Sequence, residues 1–233
     1  MSTKALVLSS GGVDSTTCVS IAVKKYGKEN VATLSAYYGQ KHEKELECAK
    51  KVAEFYGVEH YEVNLTSVMQ FSNCPLLASS TEEIKHQSYA EQIAENGEGM
   101  VSTYVPFRNG LLLSSVAALA VSIFPDEEVE VYYGAHADDA AGRAYADCTP
   151  EFYEAMNQAI KIGTYDKVTV CAPLINMNKA TVVKTGLELG TPYELTWSCY
   201  EGGEKQCGTC GTCIDRKAAF EANGVTDPVA YEN

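Results

Sequence analysis

Near the start of the chain, Leu8-Ser9-Ser10-Gly11-Gly12-Val13-Asp14-Ser15 follows the apolar run Ala5-Leu6-Val7 and precedes the helix-compatible stretch Thr16 to Val23. This order reads as a strand, a glycine turn and the first turn of a helix, an arrangement suited to nucleotide phosphate. Gly11 and Gly12 let the backbone approach an anion, while the amides at the helix start, the positive end of the helix dipole and the hydroxyls of Ser10 and Ser15 point at it. The candidate nucleotide-binding set is therefore Leu8, Ser9, Ser10, Gly11, Gly12, Val13, Asp14, Ser15 and Thr16. Ser10, Asp14 and Ser15 are the candidate catalytic members, with Asp14 expected to orient the loop or Mg²⁺. A Walker-type loop would carry Lys-Ser or Lys-Thr behind its second glycine, and this chain has none there.

A second chemical constellation lies near the C-terminus. Cys199, Cys207, Cys210 and Cys213 form C-x7-C-x2-C-x2-C among Gly202, Gly203, Gly208 and Gly211. Four thiolates with two tight spacings suit a tetrahedral Zn²⁺, and a site filled by four sulfurs has no open position for water, so its role is expected to be structural. A redox pair would need only two cysteines. Cys18, Cys48, Cys74, Cys148 and Cys171 read as buried thiols.

Two further segments carry polar groups. Arg108-Asn109, directly before the apolar stretch Leu111 to Phe124, is poorly explained by packing, and Arg108, the fourth candidate catalytic residue, suits bidentate binding of a carboxylate or phosphate. Tyr133-Gly134-Ala135-His136-Ala137-Asp138-Asp139 follows an apolar run, and Tyr145-Ala146-Asp147-Cys148 follows in turn. Acidic groups there can hold Mg²⁺ or accept hydrogen bonds from the ring N–H and amino groups of a base, with Asp139 and Asp147 as candidates. The segment reads equally as a capped loop. Lys179 and Lys184 are either phosphate contacts or solvated helix charges.

These residues need a scaffold. Apolar runs at 4–8, 31–37, 59–63, 129–133 and 168–172 read as buried strands, and helical spacing occupies Thr16 to Tyr26, Glu43 to Tyr56, Leu111 to Phe124 and 178–190. Alternation of this kind predicts an α/β fold, a parallel sheet with helices on both faces and ligands at the carboxyl ends of the strands. Residues 1–190 are expected to form the nucleotide-binding α/β domain and 191–233 a zinc-binding C-terminal segment. The polar stretch 64–103 breaks the alternation and reads as a flap or partner surface, with a short helix near Ser88 to Glu95. The chain of 233 residues has a formal net charge of −13, which argues against a broad nucleic-acid surface and for a small-molecule substrate. No run has the length to span a bilayer and no export signal is evident, so the expected location is cytoplasmic, with neither membrane nor nucleic acid as partner.

Taken together, Ser-Gly-Gly-x-Asp-Ser and the four-cysteine set give the chain a resemblance to a known family. The turn resembles the PP-loop of enzymes that cleave ATP between its α- and β-phosphates. Tyr38-Gly39-Gln40-Lys41-His42, Pro106 to Asn109 and the cysteine motif ending at Arg216 extend the likeness over nearly the whole chain, to the 7-cyano-7-deazaguanine synthase (QueC) family. The resemblance implies a Rossmann-like PP-loop fold with a small C-terminal zinc-binding segment, and a homodimer. It implies ATP, Mg²⁺ and Zn²⁺, and conversion of 7-carboxy-7-deazaguanine and ammonia to 7-cyano-7-deazaguanine through adenylated intermediates and an amide, with Gln40, Arg108, Asn109, Asp139 and Asp147 at the substrate. The chain departs from the family pattern where His136 replaces Asn, Ala140 to Ala144 is longer and Ala146 replaces Pro, in a loop expected to touch the deazaguanine. The same Ser-Gly-Gly-x-Asp-Ser occurs in other amidating and sulfur-transferring PP-loop enzymes, and an activated carboxylate can also be joined to a protein or other amine.

Overall fold

The computed structural model describes residues 3–88, 91, 92, 94 and 99–232. Five strands, β1 (Thr3–Leu8), β2 (Val31–Tyr37), β3 (Glu59–Asn64), β4 (Glu128–Tyr132) and β5 (Val168–Cys171), form one parallel sheet in the order β3-β2-β1-β4-β5. The strand positions expected from the apolar runs agree with these to within one residue. Strand β1 is central because Ala5, Leu6 and Val7 are fully buried, as a strand covered on both faces requires. Successive residues point to opposite faces, so Leu6 joins one core and Ala5 and Val7 the other.

The first core is closed by helix α4 (Arg108–Ile123) through Leu113, Val116, Ala117 and Ala120, and by Ile160 of α6 (Pro150–Gly163). The second is closed by α1 (Val13–Tyr26), α2 (Lys44–Tyr56), α7 (Lys179–Leu189) and α8 (Gly211–Ala222). Helix α1 starts at Val13, three residues before the helical spacing becomes visible, because Gly12 serves as its N-cap. Two further short helices are α3 (Thr66–Met69) and α5 (Ala137–Ala140).

Residues 191–232 pack into the main core. Ala219 and Phe220 join the cluster around Val7 and Val13, and Tyr193 hydroxyl lies 2.8 Å from Thr17 Oγ1. Arg216 is fully buried and donates to both carboxylate oxygens of Asp227 at 2.7 and 2.9 Å, and to Thr196 Oγ1 at 2.8 Å. A buried guanidinium with this many acceptors fixes the orientation of α8. The stretch expected to be a flap buries Met69, Leu76, Leu77 and Ile84 against Trp197 and the four clustered cysteines, and pairs with the Gln40 strand end through Lys41 N–H to Leu76 O at 3.0 Å. Of the helix expected near Ser88 to Glu95, positions 89, 90, 93 and 95 lie outside the described residues, while Glu91, Gln92 and Ala94 are helical and Gln92 N–H donates to Ser88 O at 3.1 Å.

Candidate active site

Connections run to opposite sides of β1, so the carboxyl ends of β1 and β4 part where the winding reverses. A cavity of about 900 Å³ opens there. The glycine turn forms its floor. Ser15 Oγ accepts from Ser10 N–H and lies 3.1 Å from Ser10 Oγ, while Gly12 N–H donates to Ser10 Oγ at 3.3 Å. No side chain caps α1, so the amides at its start are available to an anion. Leu8, Ser9, Ser10, Gly12, Val13, Asp14 and Ser15 line the cavity.

Two members of the expected nucleotide-binding set do not line it. Gly11 turns with φ of +79° and packs on α2, where an added Cβ would lie 2.2 Å from Glu45 O; its glycine is required by close approach of backbone. Thr16 is fully buried in the second layer of the helix.

On the β4 side, Lys179 Nζ reaches both Asp14 oxygens at 2.6 and 2.7 Å, and His136 Nε2 lies 3.7 Å from Asp14 and 3.4 Å from Asp139. Burial raises Asp14, but the positive charge of Lys179, aided by His136, outweighs it and holds the carboxyl below its ordinary value. Asp139 is raised, chiefly by burial. Asp215, carried on α8, is pushed up to about 6 by burial. Lys184 is exposed and is not among the cavity residues.

Across the cavity, Arg108 Nη1 donates to Tyr38 hydroxyl at 3.0 Å and its guanidinium sits 5.5 Å from the Tyr38 ring centre. Gln40 and Asn109 also line the cavity. The Gln40 amide is occupied with its own loop, since Oε1 accepts from Tyr38 N–H at 2.8 Å and Nε2 donates to Ala36 O at 3.3 Å. Asp147, expected at the substrate, points elsewhere. It is 3% exposed, and its Oδ2 accepts from Asn109 N–H at 2.9 Å, satisfying the start of α4. The reason is local: α4 begins from Phe107 in a left-handed conformation without a cap of its own, and the loop through Asp147 supplies the acceptor.

The four cysteines of the C-terminal motif are buried, with one sulfur each lying within 4.8 Å of the others. Backbone N–H groups of Glu201, Cys207, Thr209 and Cys210 donate to the sulfurs of Cys199 and Cys207. Hydrogen bonding from Cys199, then Cys213, draws Cys210 far below the ordinary thiol range. Four buried sulfurs that converge and accept amide donors fit a tetrahedral metal site.

Sequence reasoning missed Glu45, Trp197, Tyr200, Thr212 and Asp215 as cavity residues. Asp215 had a signal in its place beside Arg216 at the end of the cysteine motif; Glu45 had none beyond its place in the first turn of α2.

The 3-2-1-4-5 parallel sheet with Ser-Gly-Gly-x-Asp-Ser at the end of its central strand defines a PP-loop α/β protein. The family model described as "Queuosine biosynthesis protein QueC" matches residues 4–224, and the chain belongs to that family. It is 40% identical to 7-cyano-7-deazaguanine synthase of Psychromonas ingrahamii, with all of both chains covered. It is also 43% identical to 7-cyano-7-deazaguanine synthase 1 of Colwellia psychrerythraea, again with full coverage of both, and 42% identical to the Archaeoglobus fulgidus synthase over 97% of this chain and 89% of that one. Among solved structures, the U34-tRNA thiolase NcsA from Methanococcus maripaludis aligns with 95% of this chain and 67% of its own, at 16% identity and a TM-score of 0.49. No helix among the described residues is long and apolar enough to cross a membrane.

Proposed function

We propose that this enzyme converts 7-carboxy-7-deazaguanine and ammonia to 7-cyano-7-deazaguanine at the expense of ATP. The observation that carries this reading is identity of about 40% over the full length of relatives bearing that synthase name. The cavity supplies the matching chemistry. The amides at the start of α1, with Ser10 and Ser15, hold the phosphates, and Lys179 lies beside them to neutralise charge. Arg108 binds the substrate carboxylate, and Asp139, with its protonation favoured by burial, recognises polar groups of the ring.

A carboxylate resists attack by ammonia because oxide is a poor leaving group. Attack of its oxygen on the α-phosphorus of ATP expels pyrophosphate and turns that oxygen into part of a leaving AMP. Ammonia then displaces AMP to give the amide. A second ATP adenylates the amide oxygen, and loss of AMP with a proton from nitrogen gives the nitrile. Asp14 would hold Mg²⁺ at the phosphates once ATP draws Lys179 toward its own charge, and Cys199, Cys207, Cys210 and Cys213 would hold Zn²⁺ in a structural role.

Mass spectrometry of products after incubation with ATP, Mg²⁺, 7-carboxy-7-deazaguanine and ammonium tests the proposal. Nitrile is expected, with the amide accumulating when ATP is limiting. Product that stops at the amide, or is attached to a protein amine, would reject it and direct attention to the lengthened Ala140 to Ala144 segment.

A further inference from the structure

Carbon–nitrogen bond formation releases protons that some group in the cavity must accept. Ammonia is mostly ammonium at neutral pH, and the nitrogen must shed another proton as the bond to AMP breaks. Of the cavity carboxylates, Asp14 is bound by Lys179, Asp138 accepts from Lys179 N–H at 2.7 Å, and Asp139 stands beside His136. Asp215 faces that same cluster. Glu45 stands apart. It projects from the first turn of α2 into the cavity on the Arg108 side, and among the described residues nothing hydrogen-bonds or ion-pairs with its carboxylate.

We propose that Glu45 is the proton acceptor for carbon–nitrogen bond formation, a role that rests on the reaction proposed above. Glu45 takes a proton from ammonium, so that neutral ammonia attacks the acyl carbon held near Arg108. It passes that proton to water at the cavity mouth, and the second proton, lost from nitrogen as the C–O bond to AMP breaks, goes to solvent. The groups facing it suit the task. Arg108 from α4 is the neighbouring cation, and Tyr38 from the β2–α2 connection and Cys48 on its own helix are the other titratable neighbours. Burial outweighs Arg108 and pushes Glu45 up to about 7, where a carboxylate both accepts and returns protons near neutral pH.

The experiment compares wild type with Glu45→Gln in the full-length protein. The variant is expected to keep wild-type affinity for 7-carboxy-7-deazaguanine by calorimetry, and to keep the single-turnover burst of pyrophosphate released without ammonia, while ammonia-dependent amide formation falls about 10²-fold or more. Hydroxylamine, largely unprotonated at neutral pH, should restore most of the rate as hydroxamate. At constant total ammonium the wild-type rate should level off above about pH 7, whereas that of Glu45→Gln, which depends on free ammonia, should go on rising with pH. Weakened substrate binding, equal loss with hydroxylamine, or a plateau above about pH 7 that persists in Glu45→Gln and is lost in Asp215→Asn would overturn the assignment. Failure of wild type to form any amide would instead reject the reaction itself.

Discussion

The ammonium of Lys179 sits 2.6 Å from one carboxylate oxygen of Asp14 and 2.7 Å from the other, joining the start of α7 to the phosphate turn across 165 residues of sequence. The contact is half-buried in the cavity wall, where solvent screens it less than it would a surface pair. It sets the charge of the turn before any anion arrives.

Replacement of Lys179 by Met should therefore leave Asp14 as an unpaired negative charge facing the phosphates. ATP-dependent turnover is expected to fall about 10²-fold or more, as for loss of one preorganised charge contact. Steady-state pyrophosphate release measures this, and unchanged turnover would refute it. Because Asp14 is held below its ordinary value of 3.8, the stabilisation from the pair is present above that value and is lost as pH falls through the lower folded value. The stability deficit of the variant should accordingly shrink in acid.

Asp147 separates structure from substrate contact. Its carboxylate accepts from Asn109 N–H, so Asp147→Ala should cost about 1–2 kcal/mol of stability in denaturant titration, the scale of a lost helix-start acceptor. Asp147→Asn keeps an acceptor oxygen and should recover most of that loss together with activity. A variant with wild-type stability and a raised KM for the deazaguanine would return Asp147 to the substrate.

The cysteine cluster predicts one zinc per chain. Binding energies of roughly 10–16 kcal/mol in zinc peptides match or exceed the roughly 5–15 kcal/mol stability of a whole domain, so removal of the metal should unfold the C-terminal segment. Cys210→Ala is expected to be insoluble or to melt far below wild type, and metal analysis should show the zinc lost on chelation. A soluble, zinc-free and fully active Cys210→Ala protein would rule this out.

Local signals made the sheet, the phosphate turn and the cysteine set legible. Ala5-Leu6-Val7 announces a strand buried on both faces, and Gly11-Gly12 announces a turn, because each effect acts within a few residues. Long-range pairing has no such signature. Nothing in the spacing of Lys179 distinguishes a solvated helix charge from a partner of Asp14, and Asp147 looked like a base reader because its use by Asn109 depends on how α4 starts. The polar composition of 64–103 reads as a flap and hides the apolar residues Met69, Leu76, Leu77 and Ile84, which seat residues 69–84 on the cysteine cluster.

Glu45 makes a claim on stability as well as on reaction. Burial raises its folded value to about 7 from an ordinary 4.5, so the folded state holds more protons than the unfolded chain between those values. Stability therefore declines as pH rises through this window, and the cost is fully present above about 7. Glutamine carries no charge to bury, so Glu45→Gln should be more stable than wild type at pH 8 by on the order of 1–3 kcal/mol, with the advantage vanishing near pH 4. Thermal or denaturant unfolding of both proteins across that range measures it without any substrate. An advantage that is the same at both ends of the range would mean that Glu45 is not held as a buried, proton-retaining carboxyl. The expected pairing of higher stability with slower amide formation is what a carboxylate kept unpartnered for chemistry should show.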